Sequence, residues 1–292
     1  MKNRTVFPTL LIVLGAAMAA ALLPAAPVSA AGSPPNGVAQ ALERSSLSAS
    51  ERAEVAERVR EAARAGIPSE DLEIIIGRGL DRGVDAATLG SFLDTAVRTK
   101  QQGLPVRPVL DRVQQGLSKN VPPARIDAAS KRLAGGLEKA RPLVDGLLQG
   151  GMAPGSGDAR EAALESVARA EEQSVPDSVL RATGEKVRAQ GQTLTQFERT
   201  VRTLTFLNEA GMPSEAASRV VQRGVEHGFT ERDFGKLERN VNEMVRQGRS
   251  MDEIVSAAER EIRESRGGAP ESRGRDRTGG GREAGGRGGR GR

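Results

Sequence analysis

Two kinds of side chain in this sequence could carry chemistry: paired carboxylates and clustered arginines. Glu70 adjoins Asp71, and Glu171 adjoins Glu172. Glycoside hydrolysis uses two carboxyl groups a few ångströms apart in a cleft, and clefts that bind sugars are usually walled by aromatic rings. The chain has no Trp and no Tyr, so these acids are expected to complement helix N-termini or to lie on solvated faces. There is one histidine, His227, and no cysteine. Those counts remove most nucleophilic triads and soft-metal sites. His227 stands just before Gly228, at an expected helix end where a cation favours the C-terminal dipole. Arg82, before Gly83, holds the equivalent place. The string GRGLDRG at 77–83 has the glycines of a phosphate loop without the Lys-Ser/Thr ending, and is read as a helix terminus. No catalytic residue, cofactor, metal or small-molecule substrate is expected.

The arginines fall into two groups. Arg78 and Arg223, each followed by Gly, are read as members of a solvated face. The other group is Arg266, Arg273, Arg275, Arg277, Arg282, Arg287, Arg290 and Arg292, in a 27-residue tail that also holds eleven Gly. Such a composition cannot bury enough apolar surface to order itself, so 266–292 is expected to be disordered. The whole chain carries +5, from 43 Lys and Arg against 38 acids. The tail, with eight Arg and three acids, supplies +5 and Lys2 with Arg4 supply +2, which leaves −2 on residues 5–265. The Arg-Gly-Gly steps resemble the arginine-glycine segments of RNA-binding proteins, where guanidinium groups fork onto phosphate and stack. That resemblance implies RNA or DNA binding through the tail as the alternative function. With no Phe or Tyr interleaved, the leading expectation is weak attachment to an anionic envelope surface, with nucleic acid not expected.

The beginning of the chain reads as an address. Lys2 and Arg4 precede an apolar run at 6–23, and VSAA at 28–31 offers small residues for cleavage after Ala30 or Ala31. Residues 1–30 are therefore expected to be a signal peptide, and the protein to be periplasmic or secreted. The remainder has five Phe for large core side chains, so Ala, Leu and Val must build a close-packed helical interior.

Punctuation recurs along that remainder. AGIPSE at 65–70 returns as AGMPSE at 210–215, and Gly66-Ile67-Pro68 recurs 37 residues on as Gly103-Leu104-Pro105. Pro142 lies 37 further; after a three-residue deletion Pro176 and Pro213 resume the phase. Gly83, Asn120 and Gly228 mark the half-period. Gly or Asn followed by an apolar residue suits a helix C-terminus, and Ser48 with Glu51, Thr193 with Gln196 and Thr230 with Asp233 have capping-box spacing. Gly66, Pro68, Gly83, Gly103, Pro105, Asn120, Gly211, Pro213 and Gly228 are thus structural turn residues. Leu72, Ile75, Ile76 and Leu80 have helical spacing, as do Leu89, Phe92, Leu93 and Val97. Helices are expected at 49–64, 69–82, 86–101, 106–118, 123–140, 142–149, 159–173, 177–189, 194–209, 214–227, 231–247 and 251–264. Gly79, Gly116 and Gly224 share one helical repeat position, which suggests close approach by a neighbouring side chain.

The expected fold is all-α: tandem 37-residue helical hairpins stacked as an α-solenoid-like or curved array, followed by the disordered tail. The unit is close in length to tetratricopeptide-type repeats but lacks their aromatic and alanine positions. The expected halves are 31–149 and 159–265, with a Gly/Pro-rich hinge at 150–158. The function expected is that of an exported non-enzymatic module for an unidentified protein partner.

Overall fold

A computed structural model of the protein describes residues 34–265. The expected signal peptide and all eight tail arginines lie outside the described residues. Among the described residues the fold is all-helical, with twelve α-helices and no strand. They are α1 (Asn36–Arg44), α2 (Ala49–Arg64), α3 (Ser69–Asp81), α4 (Ala86–Gln101), α5 (Arg107–Ser118), α6 (Pro123–Gln149), α7 (Ala159–Glu172), α8 (Asp177–Ala189), α9 (Leu194–Glu209), α10 (Ser214–Glu226), α11 (Glu231–Arg246) and α12 (Met251–Ser265).

Local chemistry sets nearly every boundary. Ser48, Thr193 and Thr230 each form a full capping box, and Asp85 accepts the amide of Thr88. Gly66, Gly83, Gly103, Asn120, Gly211 and Gly228 all have positive φ, as expected, and Ser174 joins them at 62°. At these ends the residue after the turn donates back into the helix, as Ile67 does to Ala62 (3.1 Å) and Leu104 to Thr99 (3.1 Å), while its side chain is buried, or partly buried in the case of Val121. Pro68, Pro176 and Pro213 are N-caps of the helices that follow. α1 was not expected: its stripe is only Val38 and Leu42, and its N-cap, Pro35, offers no side-chain bond.

The largest departure is α6. The sequence pattern calls for two helices, 123–140 and 142–149; the structure has one, running through Pro142. Where the chain turns, the two residues before Pro are Gly66-Ile67, Gly103-Leu104, Val175 after Ser174, or Gly211-Met212, with a positive φ at the first and a buried apolar side chain at the second. In α6 they are Ala140 and Arg141. A methyl group makes the left-handed conformation costly by about 1–2 kcal/mol, and Arg141 has no apolar side chain to fold back. Continuing the helix buries Leu143, Val144 and Leu147 in line with Leu133, Leu137 and Ala140.

That missing turn changes direction downstream. Ser91 Oγ donates to Asp127 Oδ1 at 2.7 Å, 36 residues on, so α4 and α6 run parallel. Across the next junction Arg160 Nε donates to Asp145 Oδ1 (2.8 Å), and Gly136 faces Ala168; late residues of α6 meet early residues of α7, and the two are antiparallel. Beyond it Ser166 Oγ donates to Glu198 Oε1 (3.0 Å) and Asn208 Nδ2 to the carbonyl of Gln173 (2.9 Å), so α7 and α9 are parallel again. One row comprises α2, α4, α6, α7, α9 and α11; α1–α3–α5 and α8–α10–α12 form two further rows.

The buried apolar side chains form two clusters, one running from Val38 to Ile126 and the other from Leu104 to Ile262. Their border falls on α5 and α6, where Leu110 and Ile126 belong to the first and Val109 and Leu133 to the second. In the segment 150–158, Met152 is buried, Leu194 donates its amide to Ala153 (2.8 Å), and Ser156 donates its amide to Thr195 Oγ1 (3.1 Å). These contacts fasten the segment to the start of α9.

Candidate functional site

The expected turn residues do not converge. The nine residues are spread over six separate helix–helix turns, and none of them lines the cleft. Gly79, Gly116 and Gly224 are crowded by a side chain ten residues on: a Cβ at Gly79 would come within 2.5 Å of Leu89, one at Gly116 within 2.6 Å of Ile126, and one at Gly224 within 2.9 Å of Phe234. They seat the next helix. The string at 77–83 ends α3, as expected. Asp71 is buried and accepts from Arg107 and Gln114, and Glu172 pairs with Arg112. Burial holds the Glu171 carboxyl above its ordinary value, and its charged neighbours are Lys139 and Asp177. His227 caps α10, with Nδ1 buried and without a hydrogen-bond partner among the described residues. No group of three or more His, Asp or Glu among them could hold a metal.

Arg78 and Arg223 are not simply solvated. Arg78 Nη1 donates to Ser118 Oγ (2.5 Å) on α5, and Arg223 Nη1 pairs with Glu259 (2.8 Å) on α12. Arg82 reaches the end of the neighbouring α5 and donates to the carbonyl of Leu117 (2.7 Å).

A cleft of about 610 Å³ lies where the missing turn leaves space, between α5, α6, α7 and α9. Along α7, Glu165, Arg169 and Glu172 line it, while Ala163, Val167 and Ala170 are buried. The two stripes are offset by two residues, about 200° around a helix, so the charged wall of the cleft and this apolar stripe lie on opposite faces of α7, with buried Ser166 at the cleft's edge. The same offset separates cleft-lining Arg202, Phe206 and Glu209 on α9 from buried Thr200, Leu204 and Leu207. α8, α10 and α12 therefore pack behind this wall, and α5 forms the side wall in front.

The cleft is charged but only partly paired. Arg112 Nη2 bridges α5 to Glu172 on α7 at 3.1 Å, Arg169 pairs with Glu165 (2.5 Å), and Arg202 with Glu198 (3.5 Å). Gln115, Lys119, Arg125 and Glu209 also line it, and among the described residues their side chains have no hydrogen-bond or ion-pair partner. Phe206, Ile126 and Leu133 add apolar floor. Sequence reading missed this site. The available signal was the pair Ala140-Arg141, which breaks the turn pattern and so leaves α5 without a following neighbour in its row. Comparison with protein-family models, with curated proteins and with solved structures finds no match.

Proposed function

We propose that this is an exported, non-enzymatic helical-repeat protein that binds another protein in the cell envelope through its central cleft. The basic tail, 266–292, gives weak attachment to anionic surfaces. The observation that carries the reading is the cleft itself: mixed charge, unspent donors and acceptors and a small apolar floor suit a protein surface. The address at 1–30 supports export. No helix among the described residues is long and apolar enough to cross a membrane.

Two measurements on the tagged full-length protein in its own cells, and one on a tail-deleted chain, test this reading. The mature N-terminus is expected at Ala31 or Gly32 in the periplasm or medium; an intact Met1 in the cytosol overturns export. Mild extraction followed by native sizing is expected to give a complex larger than the protein alone, and a free monomer in every fraction overturns the binding role. Removing 266–292 is expected to abolish salt-sensitive retention on anionic vesicles.

A further inference from the structure

The cleft has the form of an unfilled place in a row of helices. α3 grips α5 through one stripe. Asp71 accepts from Arg107 Nη1 (3.3 Å) and Gln114 Nε2 (2.9 Å); Arg78 donates to Ser118 Oγ (2.5 Å). Arg82 donates to the carbonyls of Gly116 (3.3 Å) and Leu117 (2.7 Å), which closes the C-terminus of α5. Ile75, on the same stripe, is buried. The positions 37 residues on are Pro108, Arg112, Gln115 and Lys119 on α5, and all four line the cleft.

The other row repeats the device. Arg223 lies 145 residues after Arg78, the spacing that separates AGIPSE from AGMPSE, and Lys186 lies 37 before Arg223. Lys186 pairs with Glu226 on α10 and Arg223 with Glu259 on α12 at 2.8 Å. In all three cases a donor at this position bonds an oxygen in the second half of the next helix of its row. Gln115 occupies the position on α5, and among the described residues no helix follows α5 in its row.

We propose that an amphipathic helix of a partner protein docks in this cleft as the next member of the row α1–α3–α5, parallel to α5, with carboxylates in its last two turns against Gln115, Lys119 and Arg125. This rests on the protein-binding role proposed above. Lys119 donates to the C-terminal carbonyls of the incoming helix as Arg82 does to those of α5, and a cation at a helix C-terminus is favoured by the dipole. Charge complementarity selects the occupant. The protein's own tail, with eight Arg, would set cations against Lys119 and Arg125, and the apolar run at 6–23 would bury a charged wall without partners.

A photocrosslinking residue substituted for Gln115 in the full-length protein, in its producing cells, tests this; Gln190, exposed at the end of α8, serves as the control position. The expected result is an adduct at 115 and none at 190, with the crosslinked peptide mapping to a helix of another protein that carries Asp or Glu in its last two turns. Lys119→Glu is expected to lower the yield about tenfold, the effect of roughly 1.4 kcal/mol, and Lys119→Arg to restore it. Lys119 is exposed and has no ion-pair partner among the described residues, so an unchanged melting temperature shows that the variants fold. No adduct, a covalent homodimer, a peptide without carboxylates, or a yield indifferent to Lys119→Glu overturns the proposal. If native sizing still shows a complex in those cases, the protein-binding role stands and only the docking geometry falls.

Discussion

Residues 102–106 and 139–143 lie 37 apart and carry a proline in the same place, yet the first reverses the chain and the second is the middle of a helix. The difference lies in the two residues before the proline, Gly103-Leu104 against Ala140-Arg141. The helix runs on through Pro142, where the preceding residues supply neither a left-handed turn nor an apolar lock. Ser174, at φ 62° ahead of buried Val175, shows that the turn can form without a glycine where an apolar residue follows. The consequence reaches far: losing that one turn makes α6 and α7 antiparallel, turns the packed face of α7 and α9 away from α5, and leaves the cleft between them.

The two prolines are expected to differ in sign as well as in size. Inside a helix, Pro costs about 3 kcal/mol relative to Ala. Part of that is offset because Pro also restricts the unfolded chain, by roughly 0.4–1 kcal/mol. Pro142→Ala is therefore expected to raise stability by about 2 kcal/mol, read from the denaturant midpoint at constant slope. Pro105→Ala, in a turn, is expected to lower it by up to about 1 kcal/mol. A loss of stability in Pro142→Ala would mean that α6 does not run through residue 142.

Two glycines differ in the same way, Gly116, which lines the cleft, and Gly135, which lies on the α4-facing side of α6. At Gly116 an added Cβ meets three atoms of buried Ile126 at 2.6, 2.9 and 3.2 Å, whereas at Gly135 on α6 it meets nothing within 4 Å. Gly116→Ala is expected to destabilise by about 1–3 kcal/mol through overpacking. Gly135→Ala should stabilise by up to about 1 kcal/mol through helix propensity. Equal effects in thermal melts would count against the seating of Ile126 on Gly116.

The turns give a smaller pair. Gly103 has φ 68° with open space at its Cβ position, so Gly103→Ala is expected to cost about 1 kcal/mol for conformation alone. Ser174→Gly is expected to gain somewhat less than about 1 kcal/mol at the same place in its unit. Denaturant titrations that moved both variants in one direction would sink the account.

Much of the fold was legible because its boundaries are local. Ser48-Glu51, Thr230-Asp233 and the Gly-apolar steps act on their own turns, so the pattern read from them matches the helix ends closely. α1 escaped because Val38 and Leu42 make too short a stripe to register, and their burial depends on neighbours, including α3, distant in sequence. α6 escaped because Pro142 keeps the spelling of a turn while Ala140 and Arg141 withdraw its chemistry. The cleft was illegible for a further reason. Gln115, Lys119 and Arg125 look like any solvated residues until the direction of α7 is known, and that direction depends on a turn that is absent.

The smallest expected effect separates two kinds of helix start. α2, α4 and α11 begin with caps that include a carboxylate, whereas α9 begins with the uncharged Thr193-Gln196 pair and α8 and α10 begin at proline. The Thr230 hydroxyl and amide hold the Asp233 carboxyl below its ordinary value. The Thr88 amide and hydroxyl do the same for Asp85. A carboxylate with a lowered folded value favours the folded state when ionised. Its contribution is whole above the unfolded value of about 3.9 and fades as pH falls through the lower folded value. Asp85→Asn keeps a capping oxygen and removes this titration. At pH 7 it should cost only a few tenths of a kcal/mol, because the group is near the surface and screened. Below about pH 4 the difference from wild type should shrink toward zero. Gln196→Glu should create the opposite dependence at α9, adding a few tenths of a kcal/mol at pH 7 through the N-terminal dipole and losing it in acid. Denaturation curves for the two variants at pH 7 and pH 3 would then converge on wild type from opposite sides, and parallel offsets at both pH values would show that the carboxylates at these caps carry no charge-dependent stability.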